Sequence, residues 1–148
     1  LPKEANKAVR AASKRIAADE AIAIYQEGTA MGGVFALAAE SVRARSDRIP
    51  SIQGGGPQYV RTAARSVRLT KRGKVRKQRA ATRRTTAGQI FFGAEFGGGA
   101  RPETQQFAPH KGREGYFFFP TLRADSGDIG RQWGEALDDI SGDWGRGG

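Results

Sequence analysis

From Lys3 to about Ser46 the chain is rich in Ala, free of Pro and mixed in charge, and its apolar positions recur three and four apart, the spacing of a helix with one buried face. Val34, Leu37, Ala38 and Val42 form one such face, and Val9, Ala12 and Ile16 form a weaker one before it. Gly28-Thr29-Ala30-Met31-Gly32-Gly33 lies between them. Each Gly costs about 1 kcal/mol relative to Ala inside a helix, so two helices are expected within residues 3–46. Pro50 ends the helical region, and residues 49–57, with Gly54-Gly55-Gly56, read as a short extended piece followed by a loop.

Beyond Tyr59 the period shortens. Val60, Ala64, Val67 and Leu69 alternate in places with Arg and Ser, which predicts a half-exposed strand to about Thr70. Lys71-Arg72-Gly73-Lys74 then reads as a hairpin tip, with a second strand beginning at Val75. Gln89-Ile90-Phe91-Phe92-Gly93 reads as a further short apolar strand, so residues 59–93 make up a basic β-hairpin or sheet. Residues 94–120 read as a long loop and aromatic segment, opened by Gly97-Gly98-Gly99 and closed by Phe117-Phe118-Phe119-Pro120. Three exposed Phe side chains would promote aggregation, so at least two are expected inside the core or between subunits. The last element is an amphipathic helix over 127–142, capped by Asp128, with Ile129, Trp133, Ala136, Leu137 and Ile140 on one face. Residues 143–148 read as a flexible tail.

These elements describe a single α+β domain over residues 1–148: N-terminal helices, a small antiparallel sheet with a long basic hairpin, and a C-terminal amphipathic helix. Composition changes the picture in one respect. The hydrophobic share is 38% and Gly fills 21 positions, so much of the chain is turn, loop or interface rather than core. Cys is absent, which excludes disulfides, thiolate metal sites and cysteine nucleophiles. There is no run of eighteen apolar residues and no export signal, so no membrane partner is expected. The first residue is Leu rather than Met, and some preceding residues are expected to be missing.

Charge is polarised. Of a net +10, residues 61–84 contribute eleven cations and no carboxylate: Arg61, Arg65, Arg68, Lys71, Arg72, Lys74, Arg76, Lys77, Arg79, Arg83 and Arg84. Such a ribbon repels itself and is expected to face a polyanion or an acidic protein surface. Residues 125–148 carry six acids against two bases. Asp138, Asp139 and Asp143 sit at the end of the last helix, where the macrodipole disfavours negative charge. They are the expected acidic partner face for the ribbon of the same or a neighbouring subunit.

Catalytic apparatus is not legible. His110 is the only His, between Pro109 and Lys111, and neither a metal-binding HExxH nor a phosphate-binding loop ending in Lys-Ser/Thr occurs. No catalytic residue, metal, cofactor or small-molecule substrate is expected, and the chain reads as a non-enzyme that acts by contact. The apolar helix faces, with Val34, Leu37, Val42, Glu95, Phe96, Phe117, Phe118, Phe119, Trp133, Leu137 and Ile140, are the expected packing and assembly positions.

Two motifs carry a resemblance. Phe92-Gly93-Ala94-Glu95-Phe96-Gly97 resembles a strand end, Glu-Phe-Gly, and Tyr116-Phe117-Phe118-Phe119-Pro120-Thr121-Leu122-Arg123 resembles the aromatic-x-x-Pro-Ala-Leu lead into the last helix, of the neck or tail-completion proteins of long-tailed phages. That family is named for the gene-ten product of phage HK-ninety-seven and is related to the minor tail protein Z of lambda-like phages. Residues 106–115 are similar to the version found in phages of actinobacteria, and the likeness spans residues 3–142. The chain departs at Pro50-Ser51-Ile52-Gln53-Gly54-Gly55, which replaces Pro-x-x-Thr-Gly-x-Leu, and in its more basic 71–86 stretch. The resemblance implies a virion structural subunit, made in the bacterial host cytoplasm, that forms a homo-oligomeric ring, commonly sixfold, at the head-tail junction. Its implied neighbours are further copies, adjacent connector, tail terminator or tail tube proteins, and double-stranded DNA in the lumen. A free basic nucleic-acid-binding protein is the alternative reading of the same ribbon.

Overall fold

The computed structural model describes residues 2–60, 67–69, 75–77, 85–98 and 107–146. Pro2 precedes the first helix, α1 (Lys3–Met31), and its carbonyl accepts the first helical bond from Asn6 N at 3.1 Å. The expected break comes at Gly32, whose φ of 72° lies in the left-handed region, and a short helix α2 (Gly33–Ala39) follows. Gly28 therefore does not interrupt α1, contrary to expectation. A Cβ there would stand 2.7 Å from the Ala39 Cβ and 3.0 Å from the Phe117 ring, so Gly28 serves close packing rather than a turn.

Helix gives way earlier than residue 46. Ser41 Oγ donates to Ala38 O at 2.7 Å and accepts from Gly55 N at 2.8 Å, turning the chain into an antiparallel pair of β1 (Arg43–Arg45) and β2 (Ser51–Gln53) with Ala44 opposite Ile52. Two further antiparallel pairs follow. β3 (Tyr59–Val60) pairs with β6 (Thr85–Thr86), and β4 (Val67–Leu69) pairs with β5 (Val75–Lys77) in the register Leu69 opposite Val75. The expected hairpin tip, 71–74, lies outside the described residues.

The apolar run at Gln89–Gly93 is not a strand. It lies within a helix, α3 (Ala87–Phe96), and the cause is local. Thr86 Oγ1 accepts from Gln89 N at 3.2 Å while Gln89 Oε1 accepts from Thr86 N at 3.0 Å, a reciprocal capping box. Two more free N–H groups of that helix end, on Ala87 and Gly88, donate to Gln58 O at 2.7 Å and Gly56 O at 2.8 Å. Ile90, Phe91 and Ala94 then fall on one buried face.

After α3 the chain is clasped at both sides of residues 99–106, with Gly98 N donating to Ala108 O at 2.8 Å and Lys111 N to Phe96 O at 3.0 Å. One 3-10 turn, Gly112–Glu114, leads to the last helix. That helix, α4 (Phe118–Arg146), starts ten residues before Asp128 and absorbs most of the expected tail. Asp128 is thus mid-helix and caps nothing. The cap comes instead from α3. Glu95, fully buried, accepts from Phe117 N (3.1 Å) and Phe118 N (2.8 Å) through Oε2 and from Phe119 N (2.9 Å) through Oε1. The next residue, Pro120, has no N–H, so one carboxylate satisfies every free donor in that first turn. Gly115 makes room for it: its φ is 75°, and a Cβ there would run into Glu95 Oε1.

Phe117 and Phe118 are both buried, as the aromatic triplet demanded, and they join Ile24, Ala38, Ala39, Ile90, Phe91 and Ala94 in one cluster. Phe91 lies edge-on to both, at ring-centroid distances of 5.9 and 5.2 Å. Val34, Phe35, Leu37, Val42, Phe107 and Phe119 cover its margin. The architecture is α+β and mostly helical, with four α-helices and small antiparallel strand pairs among the described residues. None of the helices there is long and apolar enough to cross a membrane. From the core, α1 and α4 run antiparallel as a two-helix arm, each spanning about 43 Å at 1.5 Å per residue.

Removing the Glu95 carboxylate tests this arrangement. Glu95→Ala leaves three backbone donors unpaired and a hole beside Phe117, and is expected to cost more than about 4 kcal/mol in a urea titration followed by circular dichroism. Glu95→Gln, which keeps shape but presents a donor where an acceptor is needed, is expected to cost about 2 kcal/mol.

Candidate functional site

The arm is where polar chemistry gathers. The buried positions of α1 are mostly small, Ala5, Ser13, Ala17 and Ala21 beside Ile16 and Ile24, and Ala8, Ala11, Ala12 and Ala23 line its clefts with α4. On α4, Ile129, Ala136 and Ile140 line the clefts against α1, Trp133 and Leu137 are half-buried, and Ala136 is the one of these five that is buried. Small residues let two helices approach but leave little to interdigitate, and three clefts open along the seam. One of about 680 Å³ lies near the core between Ala23, Glu27, Thr121 and Asp125. The middle one, about 230 Å³, is lined by Ile16, Asp19, Glu20, Asp125, Asp128, Ile129 and Gln132. The outer one, about 440 Å³, lies between Ala8, Ala12, Arg15, Ala136, Asp139 and Ile140.

Carboxylates from both helices therefore line one seam: Asp19, Glu20 and Glu27 from α1, Asp125, Asp128 and Asp139 from α4. Among the described residues the ion pairs are those of Arg131 with Asp128 (2.5 Å) and with Glu135 (2.9 Å). Gln132 Nε2 adds a hydrogen bond to Asp128 at 2.8 Å, and these donors, Arg131 first, hold the Asp128 carboxyl below its ordinary value.

Glu20 differs from its neighbours. It is 6% exposed, and its Oε1 is buried without a hydrogen-bond partner. Burial, then the adjacent Asp125 as hydrogen-bond neighbour and like charge, then Asp128, push its carboxyl up to about 7. Ser13 Oγ, one heptad earlier on the same face, is the other buried side-chain atom without a partner among the described residues. Both polar groups weaken the seam, since each buried unsatisfied group costs about 1–3 kcal/mol.

The residues singled out from sequence fall in three places. Glu95, Phe117 and Phe118 sit in the core; Val34, Leu37 and Val42 pack against it, and Phe96 stacks on Phe119 with centroids 5.8 Å apart. Trp133, Leu137 and Ile140 are half-buried along the arm, while Asp138, Asp139 and Asp143 are exposed on its far end. The side chains of the basic ribbon, residues 61–84, lie outside the described residues. Sequence reasoning missed Glu20 and Asp125. A signal existed in Ile16-Glu20-Ile24: at four-residue spacing a Glu between two Ile occupies the buried face. Among the described residues no group of three metal-ligating side chains is placed to hold an ion. Comparison with known proteins yields no match: no family model, no curated protein and no solved structure is similar to the chain at significance.

Two substitutions test the seam. Ser13→Ala removes a buried, unpaired hydroxyl and is expected to stabilise the fold by about 1 kcal/mol in chemical denaturation. Glu20 binds its proton more tightly folded, with a value near 7, than unfolded, near 4.5. Its contribution is hence complete below about pH 4.5 and lost as pH rises through 7. Glu20→Gln is expected to leave the melting temperature unchanged at pH 4.5 and to raise it at pH 8, by up to about 3 kcal/mol of stability.

Proposed function

We propose that the chain is a structural subunit that assembles with copies of itself into a ring, and that the ring joins head to tail in the virion of a long-tailed phage. The observation that carries the reading is the division of charge. An arm lined by six carboxylates and a ribbon of eleven cations without one carboxylate belong to the same small chain. Unlike surfaces on one subunit favour head-to-tail contacts, and contacts of that kind close into rings when the rotation between neighbours divides a full turn.

Two further facts support it. The apolar stripe of α4 is only half covered by the small residues of α1, so Trp133, Leu137 and Ile140 retain surface for another subunit. Of the two motifs behind the resemblance to neck and tail-completion proteins, Phe117–Pro120 leads into the last helix as expected, held there by Glu95, while Glu95-Phe96-Gly97 ends a helix here and not a strand. A sixfold ring would carry six times +10, or +60, a field suited to a channel through which double-stranded DNA passes toward tail proteins.

Native mass spectrometry and sedimentation of the purified chain test the reading. A closed oligomer is expected, with weak DNA binding until it forms. A monomer that binds double-stranded DNA with a steep salt dependence would replace the ring with the alternative, a free nucleic-acid-binding protein.

A further inference from the structure

The middle cleft of the arm is a poor place for a carboxylate to be left alone, and its surroundings define what could relieve it. Glu20, more than nine-tenths buried, lines the cleft with an oxygen that has no partner. The charged and titratable groups facing it are Asp19 on its own helix and Asp125 and Asp128 on α4, with Arg131 engaged by Asp128 and Glu135. Phosphate or nucleic acid is repelled by such a set. A divalent ion finds no three-ligand group among the described residues. A cationic side chain fits: it brings several N–H donors, needs no fixed coordination geometry, and enters a cleft of about 230 Å³ head first with its apolar stem against Ile16 and Ile129.

We propose that the Glu20–Asp125 cleft is the docking site for a Lys or Arg side chain of the 61–84 ribbon of a second copy of this chain. The inference rests on the assembly reading above and deepens it by naming the contact. Charge complementarity selects the occupant: residues 61–84 hold eleven of the chain's 25 cations and none of its 15 acids. Docking a cation ionises Glu20, satisfies its free oxygen and offsets its repulsion with Asp125. Assembly is thereby linked to proton release from Glu20, and subunits associate more tightly as pH rises from 5.5 to 8.

The test uses the full chain. Light and heavy-isotope preparations are mixed and treated with a carbodiimide, which joins amines to touching carboxylates without a spacer. Mixed-isotope links from Lys71, Lys74 or Lys77 to Glu20 or Asp125 are expected; links only within one chain, or only to Asp138, Asp139 or Asp143, would overturn the proposal. In parallel, Glu20→Gln with Asp125→Asn is expected to weaken association at least tenfold at pH 8 and to abolish its rise with pH, while melting temperature is kept or raised. Glu40→Gln with Asp47→Asn, an equal change of charge on exposed residues away from the arm, is the control. Association unchanged by the cleft variant, or weakened equally by the control, sinks this contact and leaves the ring standing. A wild-type chain that stays monomeric at all concentrations sinks the ring and this contact together.

Discussion

A single buried carboxylate organises the molecule. Glu95 ends one helix and begins another, because its two oxygens take the three backbone N–H groups at the start of α4. At the end of α3 a negative charge is unfavourable against that helix's dipole, whereas at the start of α4 it is favourable, and the hydrogen bonds there are charge-assisted. The balance locks α3 and α4 into one geometry. Phe117 and Phe118 are thereby pressed against Phe91, Ile24 and Ile90, and α4 leaves the core in the direction that lays it along α1. Gly115 and Pro120 belong to the same device: one admits the carboxylate, the other removes the donor it could not reach.

The arm inherits its direction from that device but little of its stability. Burial near the core is aromatic and branched; along the arm it is Ala against a half-covered stripe, and the apolar area removed from water per turn is correspondingly small. Two unpaired buried polar groups lower it further. A segment of this kind opens at lower free energy than the core that anchors it.

The helical N-terminus, the break near Gly32 and the burial of at least two rings of the Phe triplet are legible because each follows from spacing or from the cost of exposing rings. The strand assigned to Gln89–Gly93 failed because a run of Ile and Phe is compatible with either period, and the deciding information lay in Thr86 and Gln89 just upstream. The start of α4 was misplaced for a different reason. Its cap comes from a residue more than twenty positions away, whereas Asp128 offers only a local cap signal. Half of the candidate site was hidden likewise: Ile16-Glu20-Ile24 shows that Glu20 is buried, but Asp125 joins it only through the antiparallel pairing of helices far apart in sequence.

That pairing also bears on why such a costly cluster exists. Leu in place of Glu20 would bury the same face without a polar group, and a carboxyl buried beside two others weakens the isolated chain most where it is ionised. The loss is eased when Glu20 is protonated, and in the proposed contact it would be offset by the positive charge of a cationic segment. A ribbon of eleven cations without a carboxylate is equally unable to neutralise itself.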